Sequence, residues 1–405
     1  MTLLDPKMEN LKYEMEDDGE APARIKVIGV GGGGSNAVAH MMASGIEGVE
    51  FHVLNTDAQA LRASPVPNKL AIGCKITRGR GAGADPDIGK QAALEDTERI
   101  LEILEGADMV FVTAGMGSGT GTGAAPVVAA MAKEMNALTL AVVTMPFAFE
   151  GERRIRQAEE GLAKLAESAD TAIAVPNERL LALAPRGTSI LEAFRLGHDF
   201  LRRTVQDLVE IVTMPGFINR DFSDVRTTLV GMGYAVLGTA TARGDNAVIE
   251  AARQAISCPL IDQSGIRGAS NVLLNVTGSA RLGLHEVNDA CQMIRNAAGG
   301  QDVQVNFGLA FNEAMADSVK VTLIASGFGA REQACEDTAE ETAAQTVWLS
   351  EAEPDSAPAA VAPAPAPEPA MAAAKPPNGT PPIPQPQDPN DLDTPAYLRQ
   401  RRLLH

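Results

Sequence analysis

The sequence KVIGVGGGGSN at residues 26–36 constrains the fold of this chain more than any other stretch. An apolar run, Val27–Val30, passes directly into four glycines and a Ser-Asn pair. This pattern predicts a buried strand that turns sharply into a helix, for which Ala37–Met42 supplies the apolar pattern. The G-x-G-x-x-G spacing that begins at Gly29 matches the dinucleotide fingerprint, in which phosphates lie on a helix N-terminus.

Further apolar runs alternate with helical patterns, and each run ends in a loop rich in Gly, Pro, Asn or Thr. Such alternation predicts an α/β domain with a parallel sheet, which binds ligands at the carboxyl ends of its strands. The predicted strands are Ile25–Val30, Val49–Leu54, Met109–Thr113, Leu138–Val143 and Ala172–Val175, and then, in a second α/β region, Val272–Thr277, Asp302–Phe307 and Val319–Ala325.

A second glycine run, FVTAGMGSGTGTGAAPVV at residues 111–128, again reads as strand, loop and helix. A third loop, GRGAGADP at residues 79–86, could close over a terminal phosphate. Several glycine loops suit a longer phosphate chain than the pyrophosphate of NAD. The P-loop pattern G-x-x-x-x-G-K-[ST] is missing and neither main loop contains a lysine, so backbone dipoles and Mg²⁺ would have to balance the phosphate charge.

Composition narrows the class of protein. The net charge is −18, with no cluster of five or more basic residues, which argues against nucleic-acid and anionic-membrane binding. Four widely spaced cysteines suggest reduced thiols in the cytosol, rather than a disulfide framework or a zinc site. The N-terminus lacks the apolar core of a signal peptide, and no apolar run approaches the roughly 20 residues of a membrane span.

The chain divides into six segments by pattern. A long amphipathic helix places Ile190, Phe194, Leu201, Val205, Leu208 and Val212 on one stripe, and TMPGF at residues 213–217 ends it. The Ala/Pro/Glu-rich stretch buries too little apolar surface to fold. The segments are a disordered arm (1–22), a first α/β domain (23–187), a central helix (188–213), a second α/β domain (214–328), a disordered linker (329–388) and a terminal peptide (389–405).

Six motifs in order carry a resemblance to a known family. They are GVGGGGSNAV, NTDAQAL, GAGADP, AGMGSGTGTGAAP, PFAFEGERR and NRDFSDVR, and LDTPAYLR stands near the end. Together they resemble the FtsZ family of bacterial cell-division GTPases, relatives of tubulin. The resemblance covers residues 24–328 and the last dozen or so, and it implies a tubulin-like fold, GTP/GDP and Mg²⁺ as cofactors, and head-to-tail assembly into the division ring.

The resemblance also assigns residues to the nucleotide site. Phosphates and the base edge would be contacted by Gly32, Gly33, Gly34, Ser35 and Asn36, by Ala82, Gly83 and Ala84, and by Gly117, Ser118, Gly119, Thr120 and Gly121. Glu150 and Arg154 would lie at the ribose, and Phe194 near the guanine.

Catalysis would fall to the acidic loop, which reaches the site of the next subunit. Asp221 and Asp224, with Asn219 beside them, would orient the attacking water, so that hydrolysis requires assembly. Spacing alone favours another interpretation of DFSD, a helix N-cap box in which Asp221 caps and Asp224 supports. Both can hold, since a capping aspartate can still present a free oxygen.

Two positions depart from the family pattern. Ser118 interrupts the run of glycines, which is tolerable if its φ is negative, and its hydroxyl could donate to phosphate. His198 stands where the family has Asn or Asp against the guanine, and a neutral histidine offers only one acceptor. His198 also lies on the apolar stripe, where a satisfied core histidine is the alternative.

The resemblance implies further partners and a location. The terminal peptide would bind membrane-tethering and regulatory division proteins, and the chain would act in the cytoplasm at the mid-cell ring without a membrane anchor of its own. An incidental solvated tail is the alternative for the peptide.

Two other function classes stay open from the residues alone. An NAD-dependent oxidoreductase would use Gly29, Gly31, Gly34 and Asp57, but it lacks an assembled catalytic candidate. A non-catalytic scaffold would bind nucleotide without hydrolysing it.

Overall fold

The computed structural model describes residues 23–183, 185, 187–213, 216–218, 222–258, 261, 265–279, 282–300 and 303–328. The predicted arm, linker and terminal peptide lie outside the described residues. The strands are β1 (Ile25–Val30), β2 (Val49–Asn55), β3 (Asn68–Ala71), β4 (Met109–Gly115), β5 (Leu138–Met145), β6 (Thr171–Pro176), β7 (Gly216–Ile218), β8 (Gly233–Arg243), β9 (Asn271–Gly278), β10 (Gln304–Phe311) and β11 (Ser318–Ser326).

The helices cover the two faces of the sheet. They are α1 (Gly31–Ala43), α2 (Ala58–Ala63), α3 (Cys74–Thr77), α4 (Pro86–Glu95), α5 (Thr97–Leu104), α6 (Gly119–Glu134), α7 (Glu152–Ser168), α8 (Asn177–Leu183), α9 (Ile190–Thr213), α10 (Phe222–Leu229), α11 (Ala247–Ile256) and α12 (Leu284–Ala298). Among the described residues, no helix is both long enough and apolar enough to cross a bilayer.

Within the described ranges, all eleven strands belong to one sheet, in the order β3-β2-β1-β4-β5-β6-β8-β11-β9-β10-β7. The pairs from β3 to β8 are parallel, and β11 is antiparallel to both β8 and β9. Val30, at the end of β1, pairs with Leu54 of β2 and Ala114 of β4. The loops after these three strands therefore meet at one edge of the sheet, as the sequence predicts for a ligand site.

The strands of the parallel part are buried on both faces. Val27, Phe51 and Phe111 point into the core that contains α1 and α9, whereas Ile28 and Val110 point into the core beneath α4, α5, α6 and α7. A strand covered on both sides needs apolar residues at every position, which is why these strands appear in the sequence as continuous apolar runs. A third core lies around β8, β9, β11, α11 and α12.

Sequence and structure differ at several elements. Helix α1 begins at Gly31, inside the glycine run, and not at Ala37. Strands β3, β7 and β8 were not predicted. In α9, Leu201, Val205 and Leu208 are buried, but Ile190 is 69% exposed, because the first turn of the helix extends beyond the core that the rest of the stripe contacts.

Candidate functional site

The first glycine loop is a helix N-terminus without a side-chain cap. Val30, the N-cap residue of α1, makes no side-chain capping hydrogen bond, and Gly31 turns the chain with φ of +73°. Gly32, Gly33 and Asn36 are exposed at this end. The first N–H groups of a helix have no intrahelical acceptor, so those of α1 are available to an anion at the carboxyl edge of the sheet.

The second glycine loop lies directly against the first. A Cβ on Gly31 would be 2.9 Å from the backbone nitrogen of Gly121, and one on Gly33 would be 3.1 Å from Cα of Gly115. Only glycine permits this approach. Because α1 and α6 follow the neighbouring parallel strands β1 and β4, two helix N-termini converge on one space, which suits a polyphosphate.

The third loop closes onto the second. A Cβ on Gly119 would lie 2.8 Å from the nitrogen of Asp85 and 3.0 Å from Cβ of Ala82. Ala84 adopts φ of +62°, the left-handed region. Gln157 of α7 holds both loops together, since its Nε2 donates to the carbonyls of Ala84 at 3.2 Å and Ser118 at 3.4 Å.

Ser118 fits the loop with φ of −97°, the negative value that the sequence analysis required. Its hydroxyl donates to the Gly115 carbonyl at 2.8 Å and accepts from the Gly121 N–H at 3.2 Å. The expectation that this hydroxyl donates to phosphate does not match the structure, because it donates its proton to the Gly115 carbonyl while its oxygen caps α6. Ser118 is compatible with this loop in place of glycine, and its hydroxyl makes the turn more rigid by bonding to both Gly115 and Gly121.

Three more polar side chains line this junction. Thr120 Oγ1 lies 2.6 Å from Thr56 Oγ1, which joins the start of α6 to the loop after β2. Ser35 is 5% exposed, and its hydroxyl has no hydrogen-bond partner among the described residues. An unpaired buried hydroxyl is costly, so Ser35 marks a place where a ligand would supply a partner.

Glu150 and Arg154 come together beside the second loop. Arg154 Nη1 lies 2.9 Å from Glu150 Oε2, and Glu150 Oε1 accepts from the Phe147 N–H at 2.8 Å. A Cβ on Gly117 would be 2.7 Å from Cγ of Arg154. The pair therefore stands next to the phosphate loops, where the resemblance implied a ribose contact.

Phe194 is held in place by an aromatic cluster. Its ring meets that of Phe147 edge to face, with centroids 5.3 Å apart, and Phe147 stacks on Phe149 at 5.0 Å. Phe147 is fully buried, whereas Phe194 is half-buried. An aromatic ring fixed in this way and partly open is a suitable surface for stacking a base.

His198 lies one turn beyond Phe194 and is half-buried, so it is not a fully enclosed core residue. Burial lowers the pKa of its imidazole, and the neighbouring His40 of α1 lowers it further. His198 is therefore neutral at physiological pH, with one donor and one acceptor nitrogen.

The sequence analysis missed Asp199, next to His198. Asp199 Oδ1 accepts from Arg202 Nε at 2.9 Å, and Oδ2 lies 2.8 Å from Arg203. Burial raises the pKa of this carboxyl, but the two guanidinium groups more than offset that and hold it below its usual range. Its position next to His198, the residue that departs from the family motif, was the signal in the sequence that pointed to this carboxylate.

The sequence analysis also missed Asn177, the first residue of α8, directly after β6. Asn177 is 6% exposed, and its Oδ1 has no hydrogen-bond partner within the described part of the chain. A Cβ on Gly197 would lie 3.2 Å from that oxygen, so the amide faces α9. Its position at the carboxyl end of a parallel strand was the available signal.

The acidic loop is described only in part. Asn219 and Asp221 lie outside the described residues. Asp224 lies in the first turn of α10 and is exposed, and its carboxylate makes no hydrogen bond or ion pair with the described residues, although its backbone carbonyl accepts from Thr228. The described chain does not bring Asp224 to the glycine loops.

Asp57 has a structural role that removes the main support for an NAD site. Its Oδ1 accepts from the backbone N–H groups of Gln59 at 2.8 Å and Ala60 at 3.2 Å, which caps α2. An NAD fingerprint needs this carboxylate for the ribose.

Comparison with protein families gives two consecutive matches. Residues 24–185 match the Tubulin/FtsZ family, GTPase domain, and residues 233–329 match the FtsZ family, C-terminal domain. The chain is 47% identical over 319 residues to the cell division protein FtsZ of Pseudomonas aeruginosa, which covers 79% of this chain and 81% of that protein.

Solved structures agree with these matches. An empty FtsZ dimer from M. jannaschii superposes with a TM-score of 0.70 at 37% identity and covers 77% of this chain and 90% of its own. CetZ2 from Haloferax volcanii, a GTPγS-bound protofilament, gives a TM-score of 0.66 at 24% identity, with 78% of this chain and 99% of its own covered. At that identity the likeness shows the fold alone.

Proposed function

This chain belongs to the FtsZ family of tubulin-related GTPases, and we propose that it binds GTP where its three glycine loops meet and hydrolyses it between successive copies. The family assigns GTP binding, hydrolysis, self-assembly and a role in cell division. The observation that supports the binding site is the direct contact of the two glycine runs, Gly31 against Gly121.

In the proposed site, backbone groups hold the phosphates. The N-termini of α1 and α6 and the loop from Ala82 to Ala84 direct N–H groups to one space, and none of these segments contributes a lysine. Preorganised N–H dipoles stabilise negative charge without reorganising during the reaction, as phosphoryl transfer requires. Glu150 and Arg154 lie where the ribose would follow.

The guanine would lie between Phe194 and the polar groups near it. Guanine presents two donors, N1–H and the N2 amino group, and a carboxylate can accept both. His198 cannot, since a neutral imidazole has one acceptor. We assign this recognition to His198, which supplies one acceptor, together with the unpaired Oδ1 of Asn177, which faces Gly197 beside it.

Mg²⁺ would come with the nucleotide. The described residues contain no cluster of three His, Cys, Asp or Glu side chains that could hold a metal ion. Mg²⁺ in nucleotide sites is bound largely by phosphate oxygens and water, with few protein ligands, and these loops fit that arrangement. The ion would neutralise phosphate charge that no lysine balances.

In this proposal, hydrolysis needs groups from two successive copies. We propose that Asp221 and Asp224 of the partner subunit, with Asn219, orient the attacking water. The exposed carboxylate of Asp224, which has no partner among the described residues, supports this role.

The test is phosphate release at increasing protein concentration. Specific activity should rise with concentration, since each site needs a neighbour. Asp221→Ala should abolish turnover and leave the affinity for GDP unchanged. The control Asp245→Ala, which changes an exposed aspartate elsewhere, should behave as wild type. Concentration-independent activity, or normal turnover by Asp221→Ala, would refute the shared site, and nucleotide binding without any hydrolysis would favour a scaffold.

Partners and location are proposed from the family alone. Residues 389–405 would bind membrane-tethering and regulatory division proteins, with residues 329–388 as the linker, and the chain would gather at the mid-cell ring in the cytoplasm. A chain ending at residue 388 should assemble and hydrolyse GTP normally but fail to localise. Normal localisation of that truncation would contradict the assignment.

A further inference from the structure

A groove of about 370 Å³ lies between α4, α6 and α7. Its floor is α6 and its walls are α4 and α7. The floor residues are Thr122, Gly123, Pro126, Val127 and Ala130, and the walls include Leu94 of α4 and Gly161 of α7. Small and apolar residues dominate the floor, and the volume is typical of a small-molecule site.

Thr122 places an unpaired hydroxyl group in this floor. It is 4% exposed, and its Oγ1 has no hydrogen-bond partner among the described residues. Pro126 stands four residues later inside α6 and has no N–H to donate to the Thr122 carbonyl. The Thr122 hydroxyl therefore lacks the partner that buried polar groups normally have, and the Thr122 carbonyl lacks its usual helical donor.

Charged side chains of both signs line the rim, and Glu167 of α7 adds one acidic residue to two pairs of opposite charge. On α4, Asp87 and Lys90 are three residues apart, and on α7, Glu160 and Lys164 are four residues apart. Side chains at these spacings are neighbours on a helix surface. Each pair is neutral, and Glu167 leaves one net negative charge, which disfavours an anion. The apolar floor disfavours a cation, because burying an unpaired charge is costly, so the groove favours an uncharged ligand.

The groove is also connected to the phosphate loops. Gln157 on its rim donates to the carbonyls of Ala84 and Ser118. Pro86 on the opposite rim is the last residue of the third loop and the first of α4, and a Cβ on Gly123 would collide with its carbonyl oxygen. A ligand between α4 and α7 would contact both connections to the phosphate loops, Gln157 on α7 and Pro86 on α4.

We propose that this groove binds an uncharged, mainly apolar ring molecule carrying one hydroxyl or N–H donor, which donates to Oγ1 of Thr122, and that the bound molecule alters nucleotide release. The binding is independent of the proposed function, whereas the effect on release rests on it.

The probes are 2-naphthol, which has a donor, and 2-methoxynaphthalene, which lacks one, added to the full chain in its GDP form. For a molecule of this size we expect a dissociation constant on the order of a millimolar for 2-naphthol. Saturation-transfer NMR measures the binding of both probes. 2-Methoxynaphthalene should bind at least about threefold more weakly. In Thr122→Val, which keeps the side-chain shape, the two probes should bind alike.

Ala130→Phe, which fills the floor, should abolish binding of both probes, and Ala163→Phe, at an exposed position of α7 outside the groove, should not. Saturating 2-naphthol should change the rate of GDP release from wild type but not from Ala130→Phe. No saturable binding, or binding unchanged in Ala130→Phe, would overturn the site. Binding with an unaltered release rate would overturn the coupling alone. Failure of the chain to hold GDP would instead overturn the proposed nucleotide site and would leave the binding test of the groove intact.

Discussion

Gly32 and Gly34 stand two residues apart in the same loop, yet the space around them differs completely. A Cβ on Gly34 would lie 2.3 Å from the carbonyl oxygen of Thr113, whereas one on Gly32 would meet nothing within 4 Å. Gly34 is thus required by the packing of α1 against β4. Gly32 faces open space, and only a ligand in that space would need its side chain to be absent.

Gly34→Ala and Gly32→Ala should therefore fail in different ways. Gly34→Ala should lower the free energy of unfolding by about 2–3 kcal/mol, because the added methyl collides with backbone. Gly32→Ala should keep or slightly raise the melting temperature, since alanine favours helix over glycine, but should weaken GDP binding by about tenfold or more, a loss of about 1.4 kcal/mol. Thermal unfolding of the nucleotide-free chain and GDP titration measure the two effects, and unimpaired GDP binding by Gly32→Ala would move the phosphates away from α1.

Among the secondary-structure elements, helix α9 and strand β11 are connected by side-chain ion pairs. Lys320 Nζ of β11 lies 2.8 Å from Glu210 Oε2 and is also paired with Asp207 Oδ1, both on α9. The side chain of Asp207 is 5% exposed and that of Lys320 is 20% exposed. Burial raises the pKa of the Asp207 carboxyl above its usual range, although Lys320 pulls it down. The helix and the sheet therefore depend on each other for charge compensation.

Lys320→Met should destabilise the chain by about 3 kcal/mol at neutral pH, because it leaves a buried carboxylate without its cation. The loss should shrink as the pH falls towards 5, since the unpaired Asp207 then takes up a proton and becomes neutral. The double variant Asp207→Asn/Lys320→Met, which removes both charges, should recover most of the stability. Melting temperatures at pH 8 and pH 5 provide the test, and a penalty independent of pH would contradict it.

At the scale of the whole molecule, one sheet unites the two family regions. β6 of the first region pairs in parallel with β8 of the second, and the core under α9 contains residues of both, Val175 and Leu237 among them. The free energy of unfolding of the whole molecule therefore depends on the protonation of buried groups in the sheet and in the helices packed on it. His52 on β2 and His198 on α9 both have imidazole pKa values lowered, chiefly by burial.

The folded chain should lose stability as the pH falls below about 6.5, the ordinary pKa of histidine. A lowered pKa in the folded state means that the unfolded chain binds the proton first, so stability present above that pH is lost on acidification. His52→Gln and His198→Gln should each reduce the loss in melting temperature between pH 7.5 and 5.5. His285→Gln, at an exposed position of α12, should not, and equal losses in all three variants would contradict the linkage.

The sequence by itself determined the glycine loops, the strands around them and the family. Each of these is a local signal: a strand buried on both faces must be apolar at every position, and a loop that touches another backbone must be glycine. Tertiary structure alone decided that α1 begins inside the glycine run, that β8 joins two regions into one sheet, that Asn177 faces α9 unpaired, and that Lys320 pairs with Glu210, 110 residues away. These features depend on which distant segments approach one another, and that approach is selected by the burial of the whole core, for which no short stretch carries a pattern.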